Sequence, residues 1–158
     1  MRRIKLYLDS SVISHLEAQD TADKMQETLS LWDDIKSSKY EIYLSSVVFE
    51  ELEDCYEPKR KLLYEYLEQI DFFQLEVNDQ VRKIADEIIR LGILKEKHIR
   101  DCMHIGCAII SESDYLVSWN FKHLVNIKTV KGVRALTNLF DYKSIDIISP
   151  QMLTKKED

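Results

Sequence analysis

The apolar residues of the chain switch repeatedly between short continuous runs and helical spacing. The short runs predict strands at residues 4–8, 40–44, 72–77, 115–118 and 145–148. Helical spacing predicts helices at residues 11–17, 21–36, 47–55, 58–69, 78–91, 99–112 and 131–140. Strands that alternate with helices favour a parallel sheet that is covered on both faces. The predicted fold class is therefore α/β, as a three-layer α/β/α sandwich around a parallel sheet of four to five strands.

Length and composition indicate one domain. A chain of 158 residues can bury one core, and 45% hydrophobic residues with only 3 Gly and 2 Pro exclude a disordered or loop-rich secreted protein. We expect a domain over residues 1–153 and a frayed tail at 154–158. The 3 cysteines lack CxxC spacing and suit a reducing cytoplasm better than zinc. No signal peptide or membrane span is evident, so we expect a cytoplasmic protein.

Charge is distributed unevenly along the chain. The net charge is −6, yet residues 1–80 hold 9 bases against 18 acids, and residues 81–158 hold 13 against 10. Between residues 120 and 143, Asp141 is the one acid among five bases. These bases are Lys122, Lys128, Lys131, Arg134 and Lys143. Such a strip fits a phosphate-binding surface and equally a solvated helix face, so charge alone does not decide between them.

Polar residues follow three of the predicted strands. Asp9 follows the first strand, residues 45–51 follow the second, and Asn120 follows the fourth. Ligands of parallel sheets bind beyond the carboxyl ends of the strands, so these residues are candidates for a site. Taken alone, Asp9 is better explained as the N-cap of the next helix.

Helical geometry separates two adjacent glutamates. At about 100° per residue, Val48, Leu52 and Cys55 form one apolar stripe, and Glu51 lies at its edge. Glu50 falls on the opposite, solvent side. A carboxylate that borders a core is costly unless it is paired or bound to a cation. Glu51 is therefore the candidate ligand of the two.

Asp101 presents a similar problem on a helix that is apolar on nearly every side. It lies within about 40° of Ile105 and Ala108, and a helix dipole offsets only about 0.3–1 kcal/mol of the cost. A salt bridge to Arg100, Lys97 or another base would explain it equally well. Alternatively, several inward carboxylates at one sheet edge would bind Mg²⁺ or Mn²⁺ and suit metal-assisted phosphodiester hydrolysis.

The ordered set of motifs resembles the PIN domain, the small nuclease fold of VapC-type toxins. The matching segments are LDSSVI at 8–13, SSVVFEEL at 45–52, RDCMHI at 100–105, DYLVSWNFKHL at 114–124 and IDIISP at 145–150. The resemblance implies metal-dependent cleavage of single-stranded RNA. It also implies that Asp9, Glu51 and Asp101 hold the ion.

Asn120 is where the sequence departs from the family pattern. A fourth carboxylate is usual at this position, and the amide oxygen of Asn120 can still bind or orient a ligand but supplies no charge. The resemblance therefore implies a catalytic set of Asp9, Glu51, Asp101 and Asn120. Ser10 and Ser118 occupy positions where the family often has a hydroxyl beside the site.

The resemblance also implies partners. The basic residues Lys122, Lys128, Lys131 and Arg134 would bind the RNA backbone, and family members are often paired with an antitoxin and often dimeric. The function predicted is a metal-dependent endoribonuclease, as a candidate toxin of a type II toxin–antitoxin pair. The alternative is a catalytically weak or inactive PIN-like module that binds RNA or a protein.

The histidines are interpreted as structural. His104 lies three residues after Asp101, near the same helix face, but its neighbours are apolar. A hydrogen-bonded core residue is therefore the preferred interpretation. For His98 and His123 the sequence indicates no partner.

Overall fold

Residues 2–154 are described by the computed structural model, and they form five strands and eight α-helices. The strands are β1 (Ile4–Leu8), β2 (Tyr40–Ser45), β3 (Phe73–Leu75), β4 (Tyr115–Val117) and β5 (Asp146–Ile148). The helices are α1 (Ser10–Ser14), α2 (Ala22–Lys36), α3 (Ser46–Glu53), α4 (Lys59–Leu67), α5 (Asp79–Arg90), α6 (Ile99–Ile110), α7 (Ile127–Leu139) and α8 (Gln151–Thr154). None of the described helices is long and apolar enough to cross a membrane.

All five strands are parallel, in the order β3-β2-β1-β4-β5. The central strand β1 therefore lies between β2 and β4, with Leu8 opposite Val117. This arrangement confirms the predicted parallel sheet, in which connecting helices bring the carboxyl ends of all strands to one edge.

Alternate residues of the strands enter two separate cores. Leu6 and Leu8 pack with α1 to α4, whereas Tyr7 and Leu116 pack with α5 to α7. The first core takes its helical residues from Val12, Leu31, Trp32, Val48, Leu52, Leu63 and Leu67. The second takes them from Val81, Ile84, Ile105, Ile109, Val133 and Leu136. Two cores on opposite faces of one sheet confirm the three-layer α/β/α sandwich.

The α6 helix is buried on most sides, as its sequence predicts. Gly106 allows α5 to approach closely, because a Cβ at this position would meet the Val81 carbonyl oxygen at 3.0 Å. Close packing of α6 fixes Asp101 and His104, one helical turn apart, against the sheet.

Most element bounds lie within three residues of the sequence prediction, and the largest difference is at the start of α7. Helix α7 begins at Ile127, about one turn earlier than expected, because the Asn126 side chain caps it by accepting from the Thr129 amide at 2.9 Å. At the carboxyl end, Thr154 is the last residue of α8, and the remainder of the predicted tail, residues 155–158, lies outside the described residues.

Candidate active site

Asp9 lies directly after the central strand and is nearly inaccessible, with 3% of its surface exposed. Its Oδ1 accepts from the Ser11 hydroxyl at 2.6 Å and the Val12 amide at 3.3 Å, and its Oδ2 accepts from the Ser118 hydroxyl at 2.5 Å. Burial raises the pKa of Asp9, although these hydrogen bonds oppose the rise. Asp9 therefore caps the amino terminus of α1 and is also a buried carboxylate of the candidate site.

Glu51 is the partly buried member of the glutamate pair, and Glu50 is exposed, as the helical stripe predicts. Glu51 Oε1 accepts from His104 Nε2 at 2.5 Å. Burial tends to raise the pKa of Glu51, but the hydrogen bond and charge of His104, together with Ser10, lower it. Glu51 is therefore an ionised carboxylate with a fixed orientation.

His104 connects this glutamate to the interior of the sheet. It is 1% exposed, and its Nδ1 lies 2.8 Å from the Tyr7 hydroxyl, which lies 2.7 Å from the Ser45 hydroxyl. Burial lowers the pKa of His104, but Glu51 and the nearby aspartates raise it above its ordinary value. The predicted hydrogen-bonded core histidine is confirmed, but its partner is a candidate ligand, which the sequence interpretation missed. Two features of the sequence could have indicated these contacts. His104 lies three residues after Asp101, and Tyr7 is a tyrosine within an apolar strand.

Asp101 lies in the first turn of α6 and is half-buried. Its pKa is raised to about 6, mainly by burial and in addition by the charges of Asp9 and Glu51, although His104 opposes the rise. The neighbouring Arg100 pairs with Asp54 at 3.0 Å, and Asp101 takes part in none of the ion pairs formed within residues 2–154. The alternative of a salt bridge to Arg100, Lys97 or another base is therefore wrong for the part of the chain that the structure describes.

Asn120 joins the site through Ser118. Its backbone amide donates to the Ser118 hydroxyl at 2.9 Å, and that hydroxyl donates to Asp9. Its side-chain Oδ1 accepts from the His123 amide at 3.0 Å and so closes the turn after β4. The amide oxygen thus has a local structural partner.

The hydroxyls of the site divide between two carboxylates. Ser118 contacts Asp9 as expected, but the second hydroxyl on Asp9 belongs to Ser11, which also accepts from the Trp119 amide at 2.9 Å. Ser10 instead lowers the pKa of the Glu51 carboxyl. The sequence could not separate the two adjacent serines, because either can face the carboxylate from the first helical turn.

The basic strip does not form one surface. Lys122 and Lys128 line a cleft of about 250 Å³, to which Lys95 and Lys97, absent from the sequence prediction, also contribute. Arg134 instead pairs with Asp146 at 2.8 Å and lines a different depression. Lys131 is exposed on α7.

Comparisons with known proteins address the fold. No protein-family model and no curated protein matches the sequence. A similar solved structure is that of VapBC2 from Rickettsia felis bound to a DNA fragment from their promoter, with a TM-score of 0.53 and 12% identity over 92% of this chain and 98% of that chain. At this low sequence identity, the structural similarity is evidence for the fold of the chain. The protein therefore has the PIN-like fold that its ordered motifs predict.

Proposed function

We propose that the protein is a metal-dependent endoribonuclease that cleaves single-stranded RNA. The observation that carries the proposal is the cluster of three carboxylates beside β1, formed by Asp9, Glu51 and Asp101. Burial and the charges of Asp9 and Glu51 raise the pKa of Asp101 to about 6, and His104 offsets only part of this rise. Three carboxylates that share one imidazole favour a further cation.

The donor set fits Mg²⁺ or Mn²⁺, because both prefer carboxylate oxygen ligands. Asp9, Glu51 and Asp101 would hold the ion. When bound, it would activate water and offset the charge that develops on the phosphate during hydrolysis.

Other residues of the chain hold these carboxylates in position. Ser11 and Ser118 fix both oxygens of Asp9, and His104 orients Glu51 through its Nε2. Tyr7 in turn fixes the His104 ring from within the sheet. Rigid ligands favour catalysis because little reorganisation is needed at the moment of reaction.

The RNA backbone would follow the lysines on the side of the site that carries His123. Lys122 and Lys128 belong to the predicted strip, and the same cleft adds Lys95 and Lys97. Lys131, one turn after Lys128 on α7, would extend this path. Arg134 is the weakest of the four predicted contacts, because Asp146 already neutralises it.

The similar structure suggests a biological setting. It holds VapBC2 bound to a DNA fragment from their promoter. We therefore propose that this chain is the cytoplasmic toxin of a type II toxin–antitoxin pair and binds an antitoxin protein. A homodimer stays a prediction of the family resemblance.

A second candidate function is a PIN-like module that binds RNA or a protein without cleavage. Asn120 favours it, because this position adds no negative charge and its amide oxygen accepts from the His123 amide. Without a negative charge at this position, the site would bind Mg²⁺ or Mn²⁺ more weakly.

A cleavage assay on labelled single-stranded RNA tests both candidates. We expect cleavage with Mg²⁺ or Mn²⁺, no cleavage with a chelator, and loss of cleavage in Asp9→Asn. Glu50→Gln is the matched control. This substitution should leave cleavage intact, because the Glu50 carboxylate is exposed. RNA binding without metal-dependent cleavage would overturn the nuclease proposal and support the binding module.

A further inference from the structure

Two histidines meet beside Asp101. His98 lies at the end of the 3₁₀ turn that precedes α6, and His123 lies in the segment after β4. Their ring centroids are 3.8 Å apart. One ligand atom from each of His98, Asp101 and His123 lies within 4.8 Å of the others, and all three residues are half-buried. The start of α6 and the segment after β4 thus bring two imidazoles and one carboxylate close together.

The histidines of the described chain differ in how their ring nitrogens are used. His15 Nδ1 lies 2.7 Å from the Ser11 carbonyl oxygen, and both ring nitrogens of His104 have partners. Within residues 2–154, the ring nitrogens of His98 and His123 take part in no hydrogen bond. Two half-buried imidazoles with free nitrogens in mutual contact are poorly explained as packing alone.

We propose that His98, His123 and Asp101 form a binding site for Zn²⁺. Two imidazole nitrogens and one carboxylate oxygen form a set that zinc uses with three protein ligands and one open position, whereas Mg²⁺ prefers oxygen ligands. The site therefore differs in donor type from the carboxylates Asp9 and Glu51. It shares Asp101 with the proposed Mg²⁺ or Mn²⁺ site, whereas its other two ligands are imidazoles rather than the carboxylates Asp9 and Glu51.

The surroundings of the site allow an ion to enter. His98 and His123 line the cleft of about 250 Å³ described above, together with Lys97 and Lys122. The two lysines oppose a cation by charge, but both are exposed, so water and salt screen them. Zinc affinity would therefore depend on the two imidazoles.

Zinc titration of the full chain against a chromophoric chelator tests the proposal. The background is Cys55→Ser, which removes a half-buried thiol that could bind zinc by itself. We expect His98→Asn and His123→Asn each to weaken Zn²⁺ binding at least about tenfold. His15→Asn is the matched control, since this histidine lies outside the cluster, and it should leave zinc affinity unchanged. Mg²⁺ binding should be the same in all three variants.

The visible absorption of bound Co²⁺ gives a second readout that reports the ligands themselves. We expect its bands to change in the His98 and His123 variants but not in the His15 variant. His98→Gln and His123→Gln repeat the test if an asparagine variant unfolds, as judged by circular dichroism. Equal zinc affinity in the Cys55→Ser protein and in its His98→Asn/His123→Asn derivative would overturn the proposal. An equal loss in His15→Asn would also overturn it.

Discussion

Asp101 and Asp114 differ in how the chain compensates their charge. Asp114, just before β4, accepts from Arg2 at 2.6 and 2.7 Å, from Lys143 at 2.9 Å and from the Lys5 amide at 2.8 Å. Burial tends to raise its pKa, but these partners lower it. Within residues 2–154, Asp101 has no ion-pair partner of this kind, and its pKa is raised to about 6.

The difference separates a structural carboxylate from a candidate ligand. The partners of Asp114 come from the chain itself and hold the amino ends of β1 and β4 together. Around Asp101, the carboxylates Asp9 and Glu51 raise its pKa, and His104 and His98 offset only part of that rise. A fold retains such a cluster at a cost in stability unless a cation from solution compensates it.

The largest effect is expected for Asp101→Asn, which we predict to abolish metal-dependent cleavage. The loss should exceed about 100-fold, because even residues that only orient metal ligands contribute about 10–100-fold. Without metal, the variant should be as stable as the wild type or more stable, since one of three like charges is gone. Cleavage assays and urea unfolding in chelator measure both effects.

Asp114→Asn is the control for this comparison. It removes the charge that Arg2 and Lys143 contact, so it should lower stability by about 1–2 kcal/mol and leave the metal requirement of cleavage unchanged. If Asp101→Asn destabilised the metal-free protein as strongly as Asp114→Asn, Asp101 would be a structural residue.

Glu51→Gln should reduce cleavage by about 100-fold, because Glu51 would hold the ion itself, while Glu50→Gln should leave cleavage nearly intact. Glu51 accepts from His104 and its charge raises the pKa of Asp101, whereas Glu50 is exposed. The pair differs by one position on α3, so both variants have the same change in charge. Equal losses in a cleavage assay would contradict the assigned facing of α3.

The parts of the molecule that follow from local pattern could be predicted from the sequence. Alternation of apolar runs gave the parallel sheet, and helical geometry distinguished Glu51 from Glu50. The hydrogen bond of His104 to Glu51 joins residues 53 positions apart, and the ion pair of Arg2 with Asp114 joins residues 112 positions apart. Periodicity carries no information about such pairs, so the orientation of Glu51 and the contrast between two aspartates required the structure.

The free energy of unfolding should also depend on pH in a way that distinguishes Asp101 from Asp114, and we expect a moderate effect. The pKa of Asp101 is higher in the folded state than its ordinary value of 3.8, so the folded protein favours the protonated form. Its stabilising contribution is fully present below pH 3.8 and is lost as pH rises through about 6. The loss should be about 1–2 kcal/mol, below the full conversion of the shift, because the carboxylate is partly solvated.

Asp114 should make the free energy of unfolding depend on pH in the opposite direction. Its pKa is lowered in the folded state, so its contribution is present above its ordinary value of 3.8 and is lost as pH falls through the folded value. Unfolding free energies from pH 2 to 8 in chelator, measured for the wild type, Asp101→Asn and Asp114→Asn, separate the two branches. Asp101→Asn should flatten the curve between about pH 4 and 7, and an unchanged slope there would show that Asp101 is not perturbed.

The smallest effect is expected for Asn120→Asp, which adds one charge at nearly constant volume to the strand end beside Asp9. Asn120 is joined to Asp9 through the Ser118 hydroxyl, so the new carboxylate would lie near the existing acids. Affinity for Mg²⁺ or Mn²⁺ should rise by about tenfold, equal to roughly 1.4 kcal/mol. Without metal the variant should be less stable, because the added charge repels its neighbours and because the acceptor for the His123 amide changes. Calorimetric titration and melting curves with and without metal test both halves. If neither metal affinity nor metal-dependent stabilisation changes, position 120 lies outside the ion site, and the correspondence of this strand end with the PIN pattern is wrong.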